Sequence, residues 1–271
     1  MEINKVLFIS QEISPYLPEG EMATKSRIIA QGVQEQGVEV RTFMPKYGYI
    51  NERRNQLHEV IRLSGMNLII DDTDHPLVIK VATLQPARLQ VYFIYNEDYF
   101  THDITKELEI DSMPADNDER SIFYVRGVLE TVKKLRWIPS IIQCSGWITA
   151  LAPLYIKKFY ADDPSCRDAK VVLSLYDEQL VQPLNEKLAQ KLMFDGIDAA
   201  NLDPIINSEA TYLDLMKLAI ANSDAVMQCS PNVDPEVLKL VKKSKLPFMP
   251  FKEDEDDAAL VQRCMEFYKS L

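Results

Sequence analysis

The alternation of short apolar runs with segments of helical period is the feature that most constrains this fold. Four runs lack the polar alternation of a half-exposed strand, as is typical of strands covered by helices on both faces. They are residues 5–10, 140–144, 170–174 and 225–229. Apolar residues at helical spacing fill the segments between them, namely residues 24–36, 117–135, 147–159, 185–194 and 208–222. Because strand–helix–strand units cross over with a right hand, the pattern predicts an α/β fold with a doubly wound, mainly parallel Rossmann-like sheet.

Residues 59–95 have a different pattern, in which strand-like runs follow one another with only turn residues between them. Consecutive strands without helices indicate hairpins, so we predict an antiparallel β-meander inserted at the edge of the sheet. The main domain is predicted to span residues 1–241. A linker at 242–257, with two prolines and an acidic run, is predicted to lead to a helix at 258–271 that packs back on the domain.

Charge and cysteine usage restrict the partners of the chain. Its 271 residues include 30 Lys and Arg against 41 Asp and Glu, a net charge of −11. A surface this acidic repels phosphate backbones and anionic lipids, so neither a nucleic acid nor a membrane is expected as a partner. The four cysteines lack a CxxC pair and the three histidines lack metal-ligand spacing, so no metal site is expected. Reduced cysteines and the absence of a signal-peptide pattern predict a cytoplasmic protein.

A ligand of an open α/β sheet binds outside the carboxyl ends of the strands. Small residues stand at those ends here: Ser10, Ser145, Ser174 and Ser230. The first strand is followed by the loop QEISPYLPEGEMA (residues 11–23), which lacks the glycine pattern of a dinucleotide site. The chain also lacks a P-loop and the GxSxG sequence of hydrolases. No cofactor is therefore predicted.

Six segments, in order along the chain, resemble the glycogen/starch synthase family of GT-B glycosyltransferases. They are KVLFISQEISPYLPEGEMA (5–23), VRTFMPKYGYI (40–50), VYFIYNEDYF (91–100), DNDERSIFYVRGVLE (116–130), IIQCSGWITALAPLYIK (141–157) and KLAIANSDAVMQCSP (217–231). Members of that family transfer glucose from ADP-glucose to a growing α-1,4-glucan. The resemblance corresponds to the N-terminal half of such enzymes. It therefore implies one half of a GT-B fold, without the second domain that holds most of the donor contacts.

The resemblance also implies positions for substrate binding, which are Tyr16, Gly20, Asp116, Asn117, Ser145 and Trp147. Trp147 fits a core anchor at the start of its helix better than a sugar platform, and Asn117 fits a helix N-cap equally well. The family sequence K-T-G-G is replaced here by PEGE at residues 18–21, and H-D-W-H is replaced by SGWI at residues 145–148. Because these changes fall on donor-contacting positions, no catalytic residue is assigned.

The changed loop is expected to weaken binding of ADP-glucose. Pro18 replaces a lysine whose charge-assisted bond to phosphate is worth ~1.5–3 kcal/mol. Glu19 and Glu21 face the diphosphate, and each repulsion is on the order of 2–3 kcal/mol at ~6 Å. We expect Lys25 and Arg27 to pair with these two glutamates rather than to bind phosphate.

Three functions are compatible with these observations. The first is a pseudoenzyme of the glycogen synthase family that binds an α-glucan, a maltooligosaccharide or a protein partner in storage-polysaccharide metabolism. The second is an ADP-glucose-dependent α-1,4-glucosyltransferase half that needs a separate donor-binding domain. The third is a small-molecule binder that kept the fold and changed its ligand. The substituted donor positions favour the first.

Overall fold

The computed structural model describes residues 3–101, 116–180, 182–206 and 208–271. Its strands are β1 (Lys5–Ser10), β2 (Glu39–Pro45), β3 (His58–Glu59), β4 (Met66–Ile70), β5 (Thr73–Leu84), β6 (Leu89–Tyr95), β7 (Ile141–Ser145), β8 (Lys170–Leu175), β9 (Ala225–Gln228) and β10 (Phe248–Met249). Its α-helices are α1 (Glu21–Glu35), α2 (Glu97–Phe100), α3 (Asn117–Lys134), α4 (Ala152–Leu154), α5 (Leu188–Phe194), α6 (Tyr212–Ala221), α7 (Pro235–Ser244) and α8 (Asp257–Ser270). None of these helices is both long enough and apolar enough to cross a bilayer.

The strands form one mixed sheet in the order β10-β9-β8-β7-β1-β2-β6-β5-β3, with β4 paired to β5. Neighbouring strands from β10 to β6 run parallel, and their buried residues explain the continuous apolar runs. Ser10 lies opposite Ser145, and Ser145 lies opposite Ser174, so the carboxyl ends of the central strands are level. The α/β class predicted from the sequence is confirmed.

The predicted meander forms the antiparallel side of this sheet. Strand β5 pairs antiparallel with β3, β4 and β6. On its other side, β6 pairs in parallel with β2, so the last strand of the meander is also a strand of the parallel sheet. Strand β2 was not indicated by an apolar run, because Arg41 interrupts it. The Arg41 guanidinium lies 5.1 Å from the centre of the Trp137 ring, which accommodates this charge at the strand.

The helix predicted at 147–159 is broken into three pieces. A 3-10 turn at Trp147–Thr149 is followed by α4 and by a π turn at Tyr155–Phe159. Pro153 lies in the first turn of α4 and has no N–H to donate to the carbonyl of Thr149, which interrupts the helical hydrogen bonds between the 3-10 turn and α4.

Helix α8 packs against α1, where the two backbones come close together. A Cβ atom on Gly32 would lie 2.4 Å from a methyl carbon of Val261, so only glycine fits between these helices. Further along α8, the buried Tyr268 hydroxyl donates to Oε1 of the buried Gln143 in β7. The predicted linker at 242–257 contains the last turn of α7 and the edge strand β10. The domain boundaries themselves stay predictions.

Candidate functional site

The loop after β1 is held against the carboxyl edge of the sheet by hydrogen bonds. The Gln11 N–H donates to the carbonyl of Ser145 at 2.8 Å, and the Tyr47 hydroxyl donates to the carbonyl of Gln11 at 3.2 Å. The Tyr124 hydroxyl of α3 donates to the carbonyl of Ser10 at 2.8 Å. The first residues of the loop therefore have a defined position beside the ends of β1 and β7.

Gly146 permits the close contact between this loop and the turn after β7. Its φ is +95°, and a Cβ atom there would lie 2.4 Å from Cβ of Gln11. The Gln11 side-chain oxygen accepts from the Ile148 N–H at 3.4 Å, and the Thr149 hydroxyl donates to the Gly146 carbonyl at 2.7 Å. The packing of the two loops therefore requires a glycine at position 146. The family sequence H-D-W-H has an aspartate at this position.

The beginning of α1 holds a cation, Lys25, that contacts the residue after β9. The Lys25 ammonium lies 2.8 Å from Oε1 of Glu21, donates to the Cys229 carbonyl at 2.5 Å, and stands 4.9 Å from the centre of the Phe251 ring. Among the described residues neither Glu19 nor Arg27 has an ion pair. The predicted pairing of these charges thus occurs for Lys25 and Glu21. The Lys25 charge is engaged within the protein.

The residues assigned by resemblance differ in their access to solvent. Tyr16 is 5 % exposed, and its ring packs edge-on against Phe93 with centroids 4.8 Å apart. Burial raises the pKa of the Tyr16 hydroxyl to about 12, despite the opposing effect of Arg27. Asn117 and Ser145 are also buried.

The other three assigned residues reach the surface. Gly20 is exposed and is the N-cap residue of α1. Trp147 is half-buried. Asp116 is half-buried too, and its Oδ1 accepts from Arg120 Nε at 3.1 Å. The ring of Trp147 is therefore the aromatic surface that these six positions offer to a ligand.

Two glutamates that the sequence analysis did not single out lie at the same edge. Glu178, which follows β8, accepts from the Trp147 N–H at 3.1 Å and from the Tyr212 hydroxyl at 3.4 Å. Burial and the nearby Glu12 carboxyl raise the pKa of Glu178 to about 8. Burial also raises the pKa of Glu12, which follows β1. The signal that could have found both residues is their position, two or three residues beyond a buried parallel strand.

A network of charged side chains holds the beginning of α3 in place. The Lys191 ammonium of α5 lies 2.6 Å from both the Asp118 and the Glu119 carboxylates. The Tyr99 hydroxyl donates to Glu119 at 2.9 Å, and its oxygen lies 2.9 Å from Nε2 of His75. Because Asp116 and Asn117 directly precede Asp118, this network fixes the backbone of two predicted substrate-binding positions.

The protonation states in this network follow from burial and from Lys191. Burial raises the pKa of Asp118, although Lys191 acts in the opposite direction. Burial also opposes ionisation of Glu119, but hydrogen bonds from Lys191 and Tyr99 lower its pKa. Burial acts to lower the pKa of Lys191 as well, and the two carboxylates outweigh it and raise that pKa. The cation therefore stays charged in a buried position because both anions contact it.

The arrangement at the carboxyl edge suits a neutral ligand with hydroxyl groups. Carboxyl groups accept and donate hydrogen bonds to hydroxyls, and an aromatic ring stacks on the apolar face of a sugar. Glu19 and Glu21, at the beginning of α1, would repel a phosphate. Within the part of the chain that the structure describes, no group of three or more His, Cys, Asp or Glu is arranged to hold a metal ion.

A mainly parallel sheet with helices on its faces is the architecture of one half of a GT-B glycosyltransferase. The sequence profile of the starch synthase catalytic domain matches residues 5–246. The chain therefore belongs to the glycogen/starch synthase family, and it corresponds to the N-terminal domain of that family.

Relatives and a solved structure agree with this assignment. The chain is 33 % identical over 244 residues to a glycogen synthase of Chlorobium chlorochromatii, covering 89 % of this chain and 50 % of the relative. It is 32 % identical over 235 residues to the glycogen synthase of Chlorobium luteolum, covering 86 % and 47 %. Its fold is similar to the catalytic domain of starch synthase IV from Arabidopsis thaliana bound to ADP and acarbose, with a TM-score of 0.72 and 18 % identity over 93 % of this chain and 51 % of that one. The chain spans about half the length of the curated relatives it matches.

Proposed function

We propose that this domain binds an α-glucan or maltooligosaccharide at the carboxyl edge of its sheet, in storage-polysaccharide metabolism. We further propose that it binds ADP-glucose weakly and transfers no glucose by itself. The observation on which this depends is the charge of the edge. Glu19 and Glu21 place two carboxyl groups at the beginning of α1, and the Lys25 ammonium there is engaged by Glu21 and by a backbone carbonyl.

A neutral glucan is not subject to this repulsion. Its recognition depends on ring stacking and on hydrogen bonds to hydroxyl groups. Half-buried Trp147 supplies an aromatic ring, and Glu178, whose carboxyl accepts from the Trp147 backbone N–H, supplies a polar group. We expect millimolar affinity for a maltooligosaccharide, which corresponds to about −4 kcal/mol.

Calorimetric titration with maltoheptaose and with ADP-glucose tests the proposal. The wild-type chain should bind maltoheptaose and show no heat of binding with ADP-glucose. Trp147→Ala should abolish the maltoheptaose signal, while Ile138→Ala, which alters an exposed side chain before β7, should leave it unchanged.

A variant of the loop after β1 tests whether this domain has lost a donor site or never had one. Pro18→Lys combined with Glu21→Gly should restore measurable affinity for ADP-glucose, because it adds a cation and removes an anion at the beginning of α1. Tight binding of ADP-glucose by the wild type, or incorporation of radiolabelled glucose into glycogen above a heat-killed control, would overturn the proposal.

The membership in the synthase family and the half-length match favour a second candidate. In this alternative the chain is one half of an ADP-glucose-dependent α-1,4-glucosyltransferase and needs a separate donor-binding domain. The test is glucose incorporation by this chain mixed with the C-terminal half of a relative. Activity of the mixture, absent from either half alone, would establish it.

A further inference from the structure

A groove with an apolar floor lies between helices α6 and α7. The two helices pack against each other, and the groove between them has a volume of about 350 Å³. Ile220 of α6 is buried, Leu240 of α7 and Leu246 beyond it are half-buried, and all three line the groove. Ala221 and Leu246 lie shortly before β9 and β10 begin, so the groove is at the amino edge of the sheet. It is therefore separate from the candidate glucan site at the carboxyl edge.

Lysines border this floor, although the chain as a whole is acidic. Lys217 of α6 and Lys243 of α7 line the groove, and no acidic residue of the described chain does so. The segment from Pro235 to Lys245 carries four lysines and one glutamate, whereas the whole chain has a net charge of −11. The groove is therefore a local positive surface on a negative protein. Its apolar centre and polar rim are the anatomy of a protein–protein interface.

The charge of these lysines is only partly neutralised within the protein. Lys217 lies 2.8 Å from Oδ1 of Asp214. Within the part of the chain that the structure describes, Lys242, Lys243 and Lys245 are exposed and have no ion pair. The negative end of the α7 dipole favours the two lysines in its last turn. The dipole does not explain the lysine on α6 or the half-buried leucines beside these charges, so the surface as a whole calls for an anionic partner with apolar side chains.

We propose that this groove docks an acidic amphipathic segment of another protein. Apolar side chains of the segment would contact Leu240 and Leu246, and its Asp or Glu side chains would pair with the lysines at the rim, as in helix-in-groove recognition. A nucleic acid or an anionic membrane would match the lysines but not the apolar floor, and the net charge of −11 repels both. The acidic run of a second copy, residues 253–257, has no apolar side chain and matches the charge alone.

Fluorescence anisotropy of labelled synthetic peptides with the full chain tests the proposal. The probe is a peptide of about 18 residues, or five helical turns, with leucines at positions i, i+3, i+4 and i+7 and with glutamates and glutamines elsewhere. It should bind the wild type with a Kd below about 1 mM. A second peptide has lysines in place of the glutamates, and a third has serines in place of the leucines. Each should bind at least about tenfold more weakly, because one lacks the charge and the other lacks the apolar anchors.

Charge reversal at the rim tests where the peptide binds. Lys243→Glu should weaken binding of the acidic peptide about fivefold, because an exposed ion pair is lost and a like-charge contact replaces it. Lys134→Glu is the matched control, since Lys134 is also an exposed lysine in the last turn of a helix, α3. It should bind the peptide as the wild type does. Leu240→Ala, which removes part of the apolar floor, should weaken binding by a similar factor to Lys243→Glu. Circular dichroism spectra ensure that each variant is folded.

Four results would overturn the proposal. The first is no binding of the acidic peptide at about 1 mM, or equal binding of the serine peptide. The second is an equal loss of affinity for Lys134→Glu and Lys243→Glu, which would mean that the charge acts without the groove. The third is tighter binding of a single-stranded oligonucleotide or of phosphatidylserine vesicles, weakened by Lys243→Glu, which would assign the lysines to phosphate. The fourth is self-association of the wild type that Lys243→Glu abolishes, which would assign the groove to a second copy.

Discussion

Replacing Lys191 with methionine tests whether the charged network at the beginning of α3 stabilises the fold. The Lys191 side chain is 5 % exposed, the Asp118 side chain is 0 % exposed, and the Glu119 side chain is 25 % exposed. Methionine retains most of the aliphatic volume and removes the charge that both carboxylates contact at 2.6 Å. Asp118 then becomes a buried carboxylate without a cation.

The expected loss is large because the remaining partner cannot reach water. Removing one member of a buried ion pair costs about 3–5 kcal/mol, compared with a total stability of about 5–15 kcal/mol for a domain. We therefore expect the free energy of unfolding to fall by about 3–5 kcal/mol at pH 7. Urea denaturation followed by circular dichroism measures it. Lys187→Met, at an exposed position just before α5, should change stability by less than about 0.5 kcal/mol.

A second substitution identifies the cause of the loss. Asp118→Asn in the Lys191→Met background removes the stranded negative charge, so it should recover part of the stability that Lys191→Met loses. A loss below about 1 kcal/mol for Lys191→Met, within the range of an exposed ion pair, would refute the reasoning. So would a double variant that is less stable than Lys191→Met alone.

Three further predictions follow from single contacts. Gly146→Ala should lower the free energy of unfolding by about 1–3 kcal/mol in urea, because its φ of +95° and its contact with Gln11 exclude a Cβ atom; an unchanged midpoint would contradict this. Tyr268→Phe should cost about 1–2 kcal/mol in the same assay, since it leaves the side-chain oxygen of the buried Gln143 without this donor. Glu178→Gln should gain stability relative to the wild type as pH rises. The folded-state pKa of about 8 exceeds the usual 4.5, so the stabilising effect of this protonation is full below pH 4.5 and is lost as pH rises through 8. A gain of up to about 5 kcal/mol at pH 9 is expected by thermal unfolding, and equal pH profiles of the two proteins would disprove it.

Local patterns were sufficient to predict the class of the fold. Strands β1, β7, β8 and β9 are buried on both sides, and a strand buried in that way must be apolar along its whole length. Helix α3 was also predicted within one residue of its ends, because its period is continuous over five turns. The family was recognisable because six short segments, spread in order from residue 5 to residue 231, resemble its characteristic sequences.

The candidate site was only partly predictable. Its location at the carboxyl edge follows from the strand order, and the loop after β1 was identified from its sequence. The exposure of each side chain does not follow from a motif, however. Tyr16 and Trp147 are both aromatic residues near strand ends, yet Tyr16 packs against Phe93 while Trp147 reaches the surface. Which of two such rings is covered depends on a neighbour from another part of the chain.

Contacts between distant segments were decided only by the tertiary structure. Lys191 and Asp118 are 73 residues apart, and Glu178 and Trp147 are 31 residues apart. The sequence does not show whether a charged residue is solvated or buried, and its partner and its pKa depend on what the fold places beside it. The sequence alone therefore determined the apolar strands β1, β7, β8 and β9, helix α3 and the family, because these depend on local period and composition. The network around Lys191 and the protonation of Glu178 depend on distance and desolvation, which exist only once the chain has folded.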